Sequence, residues 1–593
     1  MGARSLSRKL NLIGPLRIEV IGGVTLLLVS LLVRLHQLSF DSLFMDELRQ
    51  VRYYANDFGD LLADAAGMHQ SPLDLWIGKI FFFFSDSDFS ARLPAALFGT
   101  GSVLVFYALS VRLANVRIAF FFGLVFSLLP YPIYISQDAR PYSIAVFFCL
   151  LLVSVSVWVL RRARIGVLEF AAIYLSSLFF MMARTLSPLA VCFALGLFVS
   201  LGLVRSVVCR YDGWKTHFRF FALFQLALVL SFLTFLPLLL EIMDTGSRYL
   251  TVGKSSWLAS LQWQDIINPW VAQFEPISAV IAGCSIFTIV TLAVNAGRHI
   301  TQPSERMLVP FLLIVATATH YLVFSYSTSH PFRPPYSIYV LPLGLLLSVQ
   351  ALPSVAGVLR HLLRRNTSAV VYSISVITLI AVIIAATMNF KSRHIKSDWR
   401  GAANYMAENF SENSIFVFET LATTDHWSPE FYGFSRYYPD PYVGFTLSQL
   451  AVLLGHASPV TDGEPVLLLF HYRPYLLTEG SKAAIFPSVG ADLYPYILDN
   501  SNLKIKRFTG LTVVSLIDTT GLFTDELYRL VTLALESMSQ NSSVTNFHLV
   551  AAHLTPDYQA RDYHLNSAAS LARRDQLDLV RDVWKRYKSP PRL

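Results

Sequence analysis

The sequence predicts an all-α polytopic membrane domain of about eleven transmembrane helices, followed by a soluble α/β domain. Three observations lead there. Over 593 residues, 54% are hydrophobic and only 15% charged, whereas a soluble domain carries about 25% charge, so the surplus apolar surface must face lipid. Apolar runs about 20 residues long, the length that spans a bilayer, recur along the first two thirds and are separated by short charged connections. After residue 390 the pattern changes to short β-like runs and then to charged helical sequence.

The first element is a helix over 18–35. It follows Arg4, Arg8, Lys9 and Arg17 and ends at Arg34-Leu35-His36 without a small-residue cleavage site, so it reads as an uncleaved span with a cytoplasmic N-terminus. The other candidate spans are 93–111, 118–136, 142–160, 166–183, 186–204, 218–240, 277–296, 308–326, 337–358 and 368–388. Alternate connections are basic: Arg112 and Arg117; Arg161, Arg162 and Arg164; Arg205, Arg210, Lys215 and Arg219; Arg298 and Arg306; Arg360, Arg364 and Arg365. These belong in the cytoplasm. The remaining connections, 36–92, 137–141, around 184, 241–276, 327–336 and everything after 389, are then outside, as expected of a multi-pass protein of the cell inner (plasma) membrane. Within the first of them, 73–84 is too short to span and carries Asp74 and Lys79, which reads as an amphipathic helix in the outer interface.

The expected domains are a membrane module, 1–389, with its outer loop 36–92, and an extracytoplasmic domain, 390–593. Strand-like runs in the latter are SIFVFE, PVLLLF and LTVVSLI, and the chain ends in helical LDLVRDVWKRYK. The four cysteines lie in or beside apolar runs, which leaves no disulfide framework and no cysteine metal site. The net charge of +8 comes from short clusters between apolar runs, as orientation signals do, so nucleic acid is excluded as a partner.

Candidate chemistry gathers on the outer face. Asp46 and Glu47 stand about ten residues past the first helix, near headgroup level, where burial raises a carboxylate's proton affinity and makes it a better base for a hydroxyl. On the residues alone, the favoured reading is plainer: a solvated acidic loop, or an N-cap for a helix near Leu48. Ser136-Gln137-Asp138-Ala139-Arg140-Pro141-Tyr142 is a tight turn that returns Asp138 and Arg140 to the same face. A snorkelling arginine with an acid partner explains this turn equally well. Together, Asp46 and Asp138 fit a paired-carboxylate or divalent-metal site. The cations of that face are Lys79, Arg92, Arg184, Arg248, Lys254 and Arg333, with His69-Gln70. Singly they are best read as snorkelling; as a set facing lipid they suit an anionic headgroup, because arginine offers paired donors to phosphate. There is no GxxxxGK[ST], HExxH or GxSxG, hence no nucleotide cofactor, and any energy source arrives within the substrate.

Through residue 408 the chain resembles the membrane glycosyltransferases of the GT-C fold, in particular bacterial relatives of protein O-mannosyltransferases and of aminoarabinose lipid A transferases. LFMDELRQ (43–50), HQSPLDLWIGK (69–79), SDFSARLPAALFGTGSVLVFYAL (87–109), YISQDARPYS (134–143), YVLPLGLLL (339–347) and DWRGAANYMAE (398–408) carry the resemblance. It implies an inverting transfer from a polyprenyl-phosphate sugar to an envelope glycolipid, polysaccharide or protein, metal-dependent or metal-tolerant. It also implies Asp46, with Glu47 beside it, as base or its partner, Asp138 completing the acidic pair, and Arg140 on the donor phosphate, aided by Lys79, Arg184, Arg333 and His69. One departure is Ser71-Pro72, where the family often has two prolines. The alternative, a lipid or polysaccharide transporter, expects charges at mid-membrane depth and paired repeat halves, and the sequence has neither.

Overall fold

The computed structural model describes residues 2–54, 56–67, 72–162, 164–184, 186–209, 214–250, 270–294, 305–321, 337–363, 377–385, 398–409, 415–418, 436–438, 443–446, 467–471, 504–508, 511–516, 548 and 558–571. The chain divides into two units, Met1–Ser39 with Gln50–Ser392, and Phe40–Arg49 with Arg393–Leu593.

The first unit begins with α1 (Gly2–Leu35), α2 (Met45–Tyr53), α3 (Asp60–Gly67), α4 (Pro72–Phe84), α5 (Asp88–Leu113), α6 (Val116–Leu128) and α7 (Pro130–Ser136). It continues with α8 (Tyr142–Arg162), α9 (Val167–Ala183), α10 (Leu186–Cys209) and α11 (Trp214–Leu250). Among the described residues, five helices (within α1, α5, α8, α10 and α11) are long and apolar enough to cross a membrane, six if α6 and α7 form one bent span. Shorter apolar helices at Val167–Ala183, Ser278–Thr288, Met307–Thr319 and Val340–Pro353 overlie four more of the expected spans, and helical residues 377–385 fall in the last. The chain is a multi-pass membrane protein, and α1 exposes Ile18, Ile21, Leu28 and Leu32, a face for which lipid is the natural cover.

The expected span 118–136 is two helices meeting at 59°. Pro130 is the reason: it has no N–H to continue α6, and its ring drives Leu129 out of the helical region, to φ −59 and ψ 134. Asn115 caps the start of α6 by accepting from the Ile118 N–H at 3.0 Å. The core of the unit lies where α5 packs on α1, α6 and α8, around Val103, Phe106, Phe126 and Leu150. The sequence expected near 73–84 to lie short of a span is the 13-residue α4. It buries Leu73, Asp74, Leu75 and Gly78 and leaves Phe83 and Phe84 exposed.

In the second unit, β1 (Ile415–Phe418), β2 (Val443–Thr446), β3 (Leu467–His471), β4 (Lys504–Phe508) and β5 (Leu511–Leu516) form a sheet in the order β2-β1-β3-β5-β4. β1 pairs in parallel with β2 and β3, while β5 runs antiparallel to β3 and β4. Helices Trp399–Asn409 and Tyr558–Leu571 accompany it, and the terminal LDLVRDVWKRYK lies outside the described residues. Phe40–Arg49 belongs to this unit through Arg400. Its backbone N–H donates to Ser42 Oγ at 3.0 Å, and its guanidinium donates to the Phe40 carbonyl at 3.3 Å and stacks 5.3 Å from the Tyr437 ring. Tyr437 in turn accepts from the Leu43 N–H at 2.8 Å.

Candidate active site

In the first unit the turn between α7 and α8 is fixed from below. Arg34, fully buried near the end of α1, donates from Nε to Ser136 Oγ at 3.1 Å and from Nη1 to Ser30 Oγ at 2.7 Å and to the Ser127 carbonyl at 3.2 Å. Gln137 Nε2 donates to the carbonyls of Arg34 and His36 at 3.2 and 2.9 Å, groups that the end of a helix leaves unsatisfied. α5 comes close enough for this only because residue 99 is glycine: a Cβ there would overlap Ser136 Oγ and stand 3.0 Å from Arg34 Nε.

The turn so held carries Asp138, which is buried, and Arg140. Arg140 Nη1 donates to Gln50 Oε1 at 3.3 Å. The other end of the Gln50 amide donates to the Tyr54 hydroxyl at 3.1 Å and to Asp74 Oδ2. Gln50 thus joins a guanidinium on the α7–α8 turn to a carboxyl in the first turn of α4. Arg184, at the end of α9, stacks 4.7 Å from the Tyr142 ring, and Arg140 lies 6.0 Å from the same ring, so the ring's electron-rich face helps hold two like charges together. Burial pushes the Asp74 carboxyl up to about 7; the Gln50 bond and the charges of Arg140 and Arg184 oppose the shift, and Asp138 adds to it. The cluster thus brings together two buried carboxyls, two half-buried guanidiniums and an aromatic ring.

Of the residues expected to act here, Asp138, Arg140 and Arg184 share this cluster. Lys79 is engaged on the carbonyls of Tyr54, at 3.0 Å, and Asn56, and lies 5.2 Å from the Phe58 ring. Arg92 is buried and donates to the Leu38 carbonyl at 3.0 Å. His69 and Arg333 lie outside the described residues. Asp46 and Glu47 belong to the second unit and open α2, where Glu47, fully buried, accepts from the Phe44 N–H at 2.8 Å. That is the reach of a helix's third residue back to its N-cap, so the capping role expected near Leu48 is filled by Glu47, while Asp46 is half-buried. Asp74 and Gln50 were missed as site residues in the sequence: nothing in the spacing links positions 24 apart, and Asp74 read as a charge on an interfacial amphipathic helix.

Solved structures share this architecture. The apo form of ArnT from Cupriavidus metallidurans superposes with a TM-score of 0.51 at 13% identity, covering 83% of this chain and 97% of that one. The chain has the GT-C fold. The same ArnT bound to undecaprenyl phosphate gives a TM-score of 0.45 over the same shares, at 13% identity. The oligosaccharyltransferase AglB from Archaeoglobus fulgidus, in complex with an inhibitory peptide and a dolichol-phosphate, gives 0.44 at 12% identity, covering 71% of this chain and 63% of that one. No protein-family model matches the chain, and no curated protein matches its sequence.

In this GT-C chain no group of three or more His, Cys, Asp and Glu side chains converges among the described residues. Asp138 has arginines for counter-charges at hand, which is the surrounding of a carboxylate that orients cations; a divalent ion would be repelled by the same guanidiniums. Among the described residues, this cluster alone does not assemble a divalent-ion site.

Proposed function

We propose that this chain is a membrane glycosyltransferase that moves a sugar from a polyprenyl-phosphate donor to an acceptor on the outer side of the membrane, with inversion at the anomeric carbon. The observation that carries the reading is the pairing of Arg140 and Arg184 over Tyr142 beside buried Asp138, in a chain of GT-C fold whose motifs resemble those of such transferases. Guanidiniums held in advance where phosphate charge develops stabilise the leaving group without reorganising during reaction.

The acceptor hydroxyl oxygen attacks the anomeric carbon as the bond from that carbon to the phosphate oxygen breaks. The lipid phosphate departs with the electron pair and is neutralised by Arg140 and Arg184, while the hydroxyl proton passes to Asp46. Asp46 lies in the first turn of α2, and Glu47 supports it by securing that turn. The N-terminus is cytoplasmic in this reading, and the second unit is extracytoplasmic in the cell inner membrane.

The test is mass spectrometry of envelope glycolipids and glycans from a deletion strain complemented with wild type or with Asp46→Asn. Loss of one sugar that only wild type restores supports both the activity and the base. A glycan profile unchanged by deletion overturns the reading, and restoration by Asp46→Asn removes Asp46 from the mechanism.

A further inference from the structure

Asp74 has no part in the transfer chemistry just described, yet it is buried, feels the charges of both arginines, and is tied to one of them through the Gln50 amide. Its surroundings fix its electrostatics. From α2 it accepts from Gln50, whose amide also donates to Tyr54, and it feels the charges of Asp138 and Arg140 on the α7–α8 turn and of Arg184 at the end of α9. α3 and α5, which also pack on α4, carry Asp60, Asp64, Asp88 and Arg92, of which Arg92 is directed to the Leu38 carbonyl. On α4 itself, Lys79 is directed to the Tyr54 and Asn56 carbonyls. Among the described residues, the charged groups acting on Asp74 are therefore two guanidiniums and one other carboxyl.

With Asp74 and Asp138 both ionised, the four charges cancel and the cluster offers an anion no net attraction. With a proton on Asp74 the same groups carry one net positive charge, matched to the single negative charge of a phosphodiester. The arriving anion repels the Asp74 carboxylate across a low-dielectric space and so favours its neutral form further.

We infer that Asp74 couples phosphate binding to proton uptake: an anionic phosphodiester settling on Arg140 and Arg184 is accompanied by protonation of Asp74. This rests on the donor-phosphate reading of the same cluster, and deepens it by making Asp74 the positioning residue that sets the site's net charge. The sign follows from linkage. The free site binds its proton less readily than the occupied one, so affinity is full below the titration of Asp74, near 7, and declines as pH rises through it, by about tenfold from pH 6 to pH 8.

The probe is decaprenyl methyl phosphate, a phosphodiester whose charge is constant across this range, titrated onto the full-length protein in detergent micelles at pH 6, 7 and 8. Wild type is expected to weaken about tenfold from pH 6 to pH 8. Asp74→Asn, which retains an acceptor for Gln50 and mimics the neutral carboxyl, is expected to bind at pH 8 as wild type does at pH 6, with no slope. Calorimetry of wild type at pH 8 in two buffers of different ionisation enthalpy should show proton uptake on binding, a readout independent of any variant's folding. A flat wild-type profile without proton uptake, or an Asp74→Asn variant that keeps the slope, overturns the coupling while leaving the donor reading intact. Absence of phosphodiester binding at every pH overturns both.

Discussion

Arg34 shows how one side chain secures a site it does not enter. An arginine inside a membrane module is costly unless its donors are satisfied, and here three oxygens, on Ser30, Ser127 and Ser136, receive them. Removing the guanidinium in Arg34→Met takes a donor from each of these buried oxygens, at about 1–3 kcal/mol for each one left without another donor or a replacing water, while Ser136 Oγ keeps its bonds with the Pro132 carbonyl and Ser143. Gly99→Ala strikes the same pair from α5. The two changes should therefore be non-additive, with a coupling of about 0.5–3 kcal/mol in unfolding experiments on the detergent-solubilised protein. Simple additivity would show that Gly99 serves some other contact. The sequence offered Arg34 only as the last charge of an apolar run, and whether such an arginine snorkels to water or is enclosed depends on Ser127 and Ser136, about a hundred residues away. Asp138 and Arg140 were legible because a tight turn between two spans puts both on one face whatever the packing. Asp74 itself carries a second consequence: its folded-state titration lies above the unfolded value, so the proton-bound state favours the fold and stability declines as pH rises toward about 7. Asp74→Asn should accordingly raise the thermal midpoint more at pH 8 than at pH 5, and an equal gain at both would deny that burial of the charge is the cause.

At the scale of elements, the site depends on how closely α4 approaches the end of α2. Gly78 lies against Tyr54, and a Cβ at 78 would overlap the phenol ring. The Tyr54 hydroxyl is one of the two acceptors that orient the Gln50 amide. Gly78→Ala should push the ring aside, turn Gln50 away from Arg140 and weaken binding of decaprenyl methyl phosphate, while Gly78→Ala with Tyr54→Ala removes the overlap and recovers part of the loss. Equal binding by Gly78→Ala and wild type would show that Gln50 holds its place without Tyr54. The length of α4 was readable from composition, because 13 residues ending in four phenylalanines cannot span. Its buried face was not, since packing against α3, α5 and α9 decides which side turns inward. The break at Pro130 was hidden for a related reason: hydropathy runs on through Leu129-Pro130-Tyr131-Pro132, and a proline tolerated at a helix start differs from one that kinks a span only in the backbone it meets.

Across the whole chain, what could be read tracks how much each segment buries. Where the residues are described, the expected spans fall on helices, because period and length act within one segment. In the second unit the strand runs that composition revealed, β1, β3 and β5, are the central strands of the sheet, each paired on both sides. Those it hid, β2 (VGFT) and β4 (KIKRF), are the two edges, where short length and lysines guard against stray pairing at the expense of a legible pattern. The same unit holds a buried pair that no pattern announces, His548 and His564, with their Nδ1 atoms 3.0 Å apart. One ring must donate and the other accept, so at least one is neutral on that edge. Burial and the neighbouring His564 draw His548 down from 6.5 to about 4, and burial lowers His564 as well. Between those values the unfolded chain binds more protons than the folded one, so stability of the unit should fall as pH drops from about 6.5 toward about 4. Hydrogen exchange of the full-length protein, corrected for the intrinsic pH dependence of exchange, should show protection of Tyr558–Leu571 declining over that window. His548→Gln, which has no charge to gain, should flatten the decline, and a decline that persists unchanged in that variant would place the acid sensitivity in other groups.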